Sequence, residues 1–384
     1  MYLARVTLAV VLVPAVVSLI TTPTIPVSVN AVFSVDVHVE DAKGGVQAMI
    51  FDTGSTHSWL YDYHLLKEAH GRTFGGISET EVRTRLAIPA GGGRIGYADS
   101  DYIECDTWTH KQFRLGNHTW IHPFGIVVRR ARRNTPVYSG LIGASVASYF
   151  VQENPIFAFE PHSRNSVKMT LGPLNAEESC ANEKLVYRSL GQSPKMMKHW
   201  WLDVSVTYGS VRYSNGAVLD TGASVIALPA TAFEYFAVEL ALATTNFVYI
   251  PAALHGLIDC PIDFDRLPSF EVLLFPDVPL SVTPRMYISK TYANRCIVEV
   301  ARLSDGGPII LGLPLVRNFV LEFNAIKRRV GFCQPIADRF RSIEPRRPFP
   351  PDKYTDCPLC KGTAAANYSA WAVALLIFII HSID

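Results

Sequence analysis

Short stretches in which apolar and polar residues alternate are the main pattern along the chain. Residues Phe33–Val39 read FSVDVHV, with an apolar residue at every second position. Alternate side chains of a β-strand point to opposite faces, so this period indicates a strand with one buried face. Similar runs, separated by Gly, Pro, Asn and Asp, recur at 167–171, 201–206, 270–275 and 320–330. The pattern predicts a mainly β protein with few helices.

One segment has the longer period of a helix. Residues 231–243 are largely apolar and include Phe233 and Phe236, three positions apart. Thr231 followed by Glu234 has the spacing of a capping box, in which both side chains accept hydrogen bonds from free N–H groups at the start of a helix. We predict a helix over 231–243 that begins with this cap.

The two halves of the chain repeat an ordered pair of short motifs. An apolar run leads into Asp-Thr-Gly at 52–54 and again at 220–222. Two apolar residues and a glycine follow in each half, at 141–143 and 310–312. Such internal similarity predicts a duplicated protein with two lobes. The predicted lobes are residues 25–172 and 173–335.

The two triplets supply the candidate catalytic groups, Asp52 and Asp220. Two carboxyl groups about 3 Å apart cannot both ionise, so they share one proton. The ionised group can take a proton from a water, and the protonated group can donate to the oxygen of a scissile carbonyl. This chemistry needs no metal and no cofactor, and we predict neither. The predicted supporting residues of the two loops are Thr53, Gly54, Ser55, Thr221 and Gly222.

In these motifs the chain resembles the pepsin family of aspartic proteases, over roughly residues 33–334. The first motif continues with Ser55 and, at the family's spacing, Trp59; the second continues with Ala223. The resemblance implies a mainly β, two-lobed pepsin-like fold with the active-site cleft between the lobes. It implies an aspartic endopeptidase that hydrolyses peptide bonds in extended polypeptides. It also implies that 141–143 and 310–312 thread behind the catalytic loops.

Further roles follow only from this resemblance. Tyr97 is expected to be the flap tyrosine that closes over the substrate, with Trp59 beneath it. Cys260 and Cys296 are expected to form the disulfide of the C-terminal lobe. Residues 98–101 depart from the family, since they read ADSD where a glycine-containing flap tip is expected. A tip without glycine should be stiffer or differently shaped, and its acidic groups should favour basic substrates or change the pH profile.

Two other departures concern regulation and pH. Ala223 replaces the Ser or Thr of many relatives and removes one hydrogen bond near the carboxyl pair, which predicts a less acid pH optimum. The apolar segment near the start of the chain runs almost directly into the first strand and leaves no room for a prosegment. We therefore expect an enzyme that needs no zymogen cleavage or that is restrained by pH or location.

Both ends of the chain carry apolar runs. Arg5 precedes an apolar run typical of a signal peptide, which we place at 1–22. Residues 336–362 are rich in Arg and Pro and are predicted to be a stalk. Residues 363–384 contain small residues and then an apolar tail, which resembles a lipid-anchor (GPI) attachment signal; a transmembrane helix is the alternative. These features predict a membrane-anchored protein of the secretory pathway, at the cell surface or on a lumenal membrane.

Composition agrees with this picture. The 384 residues carry a net charge of +1 without a stripe of interleaved basic and aromatic residues, so we predict no nucleic-acid binding. The expected partners are peptide substrates and, through the tail, a membrane; we expect a monomer. Seven cysteines and a glycosylation sequon at Asn117 fit an oxidising compartment. The sequence leaves open the pairing of Cys105, Cys180, Cys333, Cys357 and Cys360.

Two alternatives remain at the level of the sequence. The basic run at 129–133 is either a solvated loop or a processing site. The competing function is a non-proteolytic peptide-binding or inhibitor protein on the same fold. Such proteins typically lose one catalytic aspartate or its loop, whereas both triplets are intact here.

Overall fold

The computed structural model describes residues 24–29, 33–43, 45–70, 76, 93–96, 102–130, 138–163, 166–193, 196–208, 211–244, 246–251, 254–260, 263–274, 278–290, 295–304 and 306–336. The predicted signal peptide, nearly all of the predicted stalk, the predicted C-terminal tail, Cys357 and Cys360 lie outside these residues. Within them, no helix has the length and apolar character needed to cross a membrane.

Strands dominate the described residues, which confirms the prediction of a mainly β fold with few helices. The strands of the first half are β1 (Thr24–Val29), β2 (Phe33–Val39), β3 (Val46–Asp52), β4 (Trp59–Tyr61), β5 (Gly93–Gly96), β6 (Tyr102–Leu115), β7 (His118–Arg130), β8 (Gly140–Gly143), β9 (Ile156–Ser163) and β10 (Ser166–Leu171). The helices of this half are α1 (Tyr63–His70) and α2 (Tyr149–Glu153).

The second half is built in the same way. Its strands are β11 (Val186–Ser189), β12 (Trp201–Tyr208), β13 (Val211–Leu219), β14 (Ile226–Pro229), β15 (Val248–Ile250), β16 (His255–Asp259), β17 (Phe270–Leu274), β18 (Val278–Val282), β19 (Ile288–Lys290), β20 (Arg295–Val298), β21 (Val300–Leu303), β22 (Ile309–Leu311), β23 (Val320–Asn324) and β24 (Arg329–Cys333). Its helices are α3 (Ala176–Ser179), α4 (Ala230–Ala243), α5 (Pro284–Tyr287) and α6 (Leu313–Val316), with a 3₁₀ turn at Phe264–Arg266.

The same strand arrangement surrounds each Asp-Thr-Gly triplet. In the N-terminal lobe β8 lies between β3, to which it is parallel, and β4, to which it is antiparallel. In the C-terminal lobe β22 lies in the same way between β13 and β14. The two apolar-apolar-glycine motifs thus occupy the central strand of each arrangement, alongside the strand that leads into the triplet.

The two lobes share one large sheet. Thirteen described strands follow the order β11-β24-β23-β9-β10-β1-β2-β3-β8-β4-β7-β6-β5. The ladder passes from the C-terminal half into the N-terminal half where β23 pairs with β9, with Phe323 opposite Phe157. Backbone hydrogen bonds therefore join the lobes. The remaining strands of the C-terminal lobe form one sheet of seven strands and one of four.

Two local predictions were wrong. The run at 320–330 is a hairpin rather than one strand, because the chain turns at 325–328, where Arg328 has φ of +45°. No Gly or Pro marks this turn, and the Asn324 side chain accepts a hydrogen bond from Lys327 N across it at 2.9 Å. Because the residues on both sides of the turn are largely apolar, the sequence pattern did not show that the strand ends there.

The predicted capping box is also absent. Helix α4 begins at Ala230 directly after β14, and Pro229 is its N-cap, without a side-chain hydrogen bond. Thr231 is already inside the first turn, so its hydroxyl is in the wrong place to cap the helix. Helix α1 was not predicted, since its eight residues make only about two turns.

The pairing of the described cysteines is now visible. Cys260 and Cys296 form a disulfide, as the resemblance implied. A second disulfide joins Cys180 to Cys333 and ties the segment before β11 to the end of β24. Cys105 is a buried free thiol, and burial raises its pKa to about 12, so it carries little thiolate near neutral pH.

An aromatic cluster packs where the shared sheet joins the lobes. Phe157 and Phe323 stack with ring centroids 4.8 Å apart, and Trp200 packs edge-on against Phe323 at 5.0 Å. Phe51, the residue before Asp52, meets Phe157 edge-on at 5.9 Å. All of these side chains are fully buried. The cluster connects the strand that carries Asp52 to the C-terminal strands.

We expect Phe157→Ala to lower the free energy of unfolding by about 3–5 kcal/mol, because it removes a large buried ring at this junction and leaves a cavity. Urea unfolding monitored by tryptophan fluorescence measures the loss. Ile326→Ala is the control; its side chain is 68% exposed, so the change should stay within about 0.5 kcal/mol. Equal effects of the two substitutions would contradict this account of the junction.

Candidate active site

Both predicted catalytic aspartates lie at the carboxyl end of a strand, in the interior of the molecule. Asp52 is the last residue of β3, and Asp220 directly follows β13. Both side chains are fully buried. The two carboxyl groups are hydrogen-bonded to each other, so strands from opposite lobes bring them together.

Each carboxyl group packs against the glycine of the opposite loop. A Cβ atom on Gly54 would lie 2.7 Å from Asp220 Oδ1, and one on Gly222 would lie 2.6 Å from Asp52 Oδ1. Any larger residue would therefore push the carboxyl groups apart. Each glycine N–H also donates to the aspartate of its own loop, Gly54 to Asp52 and Gly222 to Asp220, both at 2.8 Å.

Thr53 and Thr221 join the two loops by four hydrogen bonds. The Thr53 hydroxyl donates to the Leu219 carbonyl at 2.9 Å, and the Thr221 hydroxyl donates to the Phe51 carbonyl at 2.6 Å. Each hydroxyl also accepts a hydrogen bond from the backbone N–H of the other threonine, at 3.0 Å. Because these groups are buried, sliding one loop past the other would leave several of them unsatisfied, at about 1–3 kcal/mol each.

The loops differ at the residue after the glycine. The Ser55 hydroxyl donates to Asp52 Oδ2 at 2.6 Å, whereas Ala223 at the equivalent place has no hydroxyl. Asp220 Oδ2 is buried without a hydrogen-bond donor among the described residues, although the Gly222 and Ala223 N–H groups bond this carboxyl as Gly54 and Ser55 bond Asp52. Hydrogen bonds to a carboxylate favour its ionised form. The asymmetry therefore stabilises negative charge on Asp52 more than on Asp220.

The pKa shifts follow the same asymmetry. Burial raises the pKa of Asp220, and the charge on Asp52 raises it further, to well above the usual range of a carboxyl. Burial also raises the pKa of Asp52, but hydrogen bonds from Asp220, Ser55 and Gly54 oppose this effect. The burial and hydrogen bonds therefore favour the ionised form of Asp52 over that of Asp220, within a pair that titrates as one unit.

Of the two residues predicted to form the flap region, Trp59 belongs to the described residues. Trp59 is buried against Tyr61, with ring centroids 5.0 Å apart, and its indole N–H has no partner among the described residues. Tyr97 and the acidic tip at 98–101 lie outside those residues. A buried indole N–H usually finds an acceptor, so Trp59 remains available for the predicted hydrogen bond.

The other predicted positions lie away from the carboxyl pair. Asn117 is exposed in the turn between β6 and β7. Arg129 is exposed and lies 3.5 Å from Glu104, while 131–133 fall outside the described residues. In the part of the chain that the structure describes, no group of three or more His, Cys, Asp and Glu could hold a metal ion.

Comparison with known proteins agrees with this geometry. Residues 127–335, more than half of the chain, match the family described as eukaryotic aspartyl protease. The chain belongs to this family. The matched range contains the Asp220 loop but not Asp52, so the likeness of residues before 127 to the family is shown by structural similarity alone. The predicted pepsin-like family is confirmed.

Structural similarity extends over most of the aspartyl protease fold. The crystal structure of the aspartic proteinase from Irpex lacteus is similar with a TM-score of 0.63 and 17% sequence identity, over 82% of this chain and 97% of that chain. No curated protein sequence matches the chain. At this identity the likeness shows the fold, and it confirms the predicted two-lobed architecture.

A buried polar chain behind the Asp52 loop had no sequence signal. His122 Nδ1 accepts a hydrogen bond from the Trp120 indole N–H at 3.0 Å, so Nε2 carries the proton and donates to the Ser58 hydroxyl at 2.7 Å. Ser58 Oγ also accepts from Gly143 N at 3.0 Å. Gly143 pairs with Asp52 across the β3–β8 ladder. This member of the aspartyl protease family thus has a buried, neutral histidine behind the loop that carries Asp52.

The pKa of His122 is lowered to about 3, first by burial and then by the charge of His110. An unfolded chain takes up the proton near pH 6.5, whereas the folded chain resists it until about pH 3. The contribution to stability is therefore fully present above pH 6.5 and is lost progressively as the pH falls towards 3.

We expect His122→Gln, which keeps one acceptor and one donor but does not titrate, to reduce the loss of unfolding free energy between pH 7 and pH 4 by about 3 kcal/mol. Urea unfolding at both pH values measures the difference. His162→Gln, at an exposed histidine, should leave the loss as in the wild type. A loss in His122→Gln as large as in the wild type would show that His122 is not the buried neutral group described here.

Proposed function

We propose that this chain is an aspartic endopeptidase that hydrolyses peptide bonds in extended polypeptides. The observation that carries the proposal is the pair of buried carboxyl groups, Asp52 and Asp220, held together by reciprocal bonds of Thr53 and Thr221. Such an arrangement is costly for folding, because it buries two acidic groups side by side. Membership of the aspartyl protease family agrees with peptidase activity.

In the proposed mechanism the two aspartates have different roles. Asp52, the more strongly hydrogen-bonded carboxylate, takes a proton from a water whose oxygen attacks the carbonyl carbon of the scissile peptide bond. Asp220, which holds the shared proton, donates it to the carbonyl oxygen as the tetrahedral intermediate forms. When this intermediate collapses, the C–N bond breaks: Asp52 gives the proton it took from the water to the leaving nitrogen, and Asp220 takes back a proton from one hydroxyl of the intermediate, which becomes the carbonyl of the new carboxyl group. The aspartates end in their starting state, and no covalent bond to the enzyme forms.

The proposal includes a substrate-binding flap. We assign Tyr97 to the flap and Trp59 to the position beneath it, on the basis of their spacing from Asp52 and of the buried indole N–H of Trp59, which has no partner among the described residues. Substrates are proposed to be proteins and peptides that bind as a single chain in the cleft between lobes 25–172 and 173–335.

The cellular setting is proposed from the sequence. The apolar runs near both ends support a cleaved signal peptide at 1–22 and membrane attachment through 363–384, by either a lipid anchor or a membrane helix. Together with the sequon at the exposed Asn117, they support a glycoprotein of the secretory pathway, at the cell surface or on a lumenal membrane. We also propose that it is a monomer.

Asp52→Asn and Asp220→Asn should each reduce kcat/KM for a denatured protein substrate by about 1,000-fold or more, because each removes a proton-transfer group. The assay covers pH 3 to 8. Asp203→Asn, an exposed aspartate outside the site, should keep wild-type activity. Equal cleavage by wild type and Asp52→Asn, or none by the wild type at any pH, would favour a peptide-binding or inhibitor protein.

Ala223→Ser should move the pH optimum to lower pH by about half a unit to one unit. The new hydroxyl would donate to Asp220 Oδ2, as Ser55 does to Asp52, and would stabilise the ionised form of Asp220. Ser55→Ala should shift the acid limb of the profile in the opposite direction, to higher pH. Profiles of kcat/KM against pH test both changes, and coincident profiles for wild type and Ala223→Ser would contradict the assigned asymmetry.

A further inference from the structure

His199 is a buried histidine that lies directly beside the Asp52 loop. It belongs to the short turn that leads into β12, in which Met196 N donates to Ser193 O at 3.0 Å and His199 N donates to Met196 O at 2.9 Å. Its side chain is only 2% exposed. A histidine buried this deeply needs specific hydrogen bonds, so its partners matter.

The turn that carries His199 is anchored to the N-terminal lobe. The Trp200 indole N–H donates to Ala144 O at 2.8 Å, and Ala147 N donates to Lys198 O at 3.3 Å. Ala144 N in turn donates to the carbonyl oxygen of Asp52 at 2.7 Å. Trp200, the residue before β12, is thus held against the loop that carries Asp52, and His199 directly precedes it.

The imidazole of His199 hydrogen-bonds to the backbone of Gly54, and this bond favours the protonated ring. A carbonyl acceptor has that effect, and the Gly54 N–H is already used by Asp52 Oδ1. The acceptor is therefore the Gly54 carbonyl oxygen. Nδ1 of His199 is buried without a partner among the described residues, so the donor is Nε2–H.

The Gly54 carbonyl belongs to the same peptide group as the Ser55 N–H. That N–H is shared: it makes a long hydrogen bond to the Asp52 carbonyl oxygen, at 3.4 Å, and it also faces the Asp52 carboxyl, where it lowers the pKa and favours the ionised form. A donor at the carbonyl end of a peptide polarises it and strengthens the N–H at the other end as a donor. A hydrogen-bonded path therefore runs from His199, through one peptide group, to Asp52.

We propose, on the basis of the proposed protease function, that His199 is a positioning residue that holds and polarises the Gly54–Ser55 peptide so that its N–H stabilises the ionised Asp52. His199 lies in the C-terminal lobe and acts on the N-terminal loop, so it contributes to the assembly of the site across the lobes. It does not touch the substrate's reacting atoms in this role.

The charges around the ring fit a donor that stays neutral. The pKa of His199 is lowered by burial and, to a smaller extent, by Lys198 on the same turn. Lys198 also lowers the pKa of His57 on the catalytic loop, where burial is the larger cause. The nearest acidic group along the path is Asp52. Since Nε2 donates in both protonation states of His199, the effect on Asp52 does not require His199 itself to titrate.

Two substitutions in the full-length protein distinguish the hydrogen-bonding role of His199 from a role in packing alone. His199→Phe keeps a flat ring but has no donor, whereas His199→Gln places an amide N–H near the position of Nε2. We expect the acid-limb pKa of kcat/KM to rise by about half a unit in His199→Phe and to stay within about 0.2 unit of wild type in His199→Gln. His255→Phe, at a buried histidine on β16, is the control and should not move the acid limb.

An unchanged acid limb in His199→Phe, equal shifts in both variants, or an effect confined to KM would overturn the proposal. Absence of cleavage by the wild type would instead count against the proposed protease function. In that case the His199 proposal is tested without activity, by titrating the ¹³C carboxyl resonances of aspartate-labelled full-length protein to measure the pKa values of the pair. The proposal predicts the same upward shift of the lower pKa of the pair in His199→Phe, and superimposable titrations would refute it.

Discussion

Four hydrogen bonds made by Thr53 and Thr221 hold the two Asp-Thr-Gly loops in the one relative position at which Asp52 and Asp220 meet. Each hydroxyl donates to a carbonyl of the opposite loop and accepts from the opposite threonine's N–H, inside a fully buried site. No single bond of this kind is strong, with a net contribution of about 1 kcal/mol. Together they are sensitive to any displacement, since one shift would break all four. The sheet that continues across the lobes limits larger movements.

This nearly symmetric frame holds an asymmetric acid pair. The threonines and glycines of the two loops are equivalent, but the position of Ser55 in the first loop is occupied by Ala223 in the second. One missing hydroxyl leaves Asp220 with less support for a negative charge, and burial beside Asp52 raises its pKa further. In the proposed mechanism, acid and base are distinguished by the residues around two identical side chains. In our proposal His199, which is hydrogen-bonded to Gly54, adds to this difference between the two carboxyl groups.

The sequence predicted what depends on short patterns and on their repetition. The alternation at Phe33–Val39 predicted a strand, and the duplicated triplets predicted that Asp52 and Asp220 would meet, although the loops lie 168 residues apart. Other features depend on contacts that no spacing encodes. The Cys180–Cys333 disulfide spans 153 residues, and the contact of His199 with Gly54 arises only when the lobes pack together. The hairpin at 325–328 was missed because its turn lacks Gly and Pro.

The central claim is that the buried pair keeps one shared proton over a wide pH range. Potentiometric titration of the full-length protein, compared with the Asp52→Asn/Asp220→Asn double variant, counts that proton directly. The account predicts two separated steps, with the wild type holding one proton more than the variant's amide pair through the mildly acidic range. Two coincident steps near pH 4, the ordinary range of an aspartate, would mean that the two carboxyl groups titrate independently and would contradict the account.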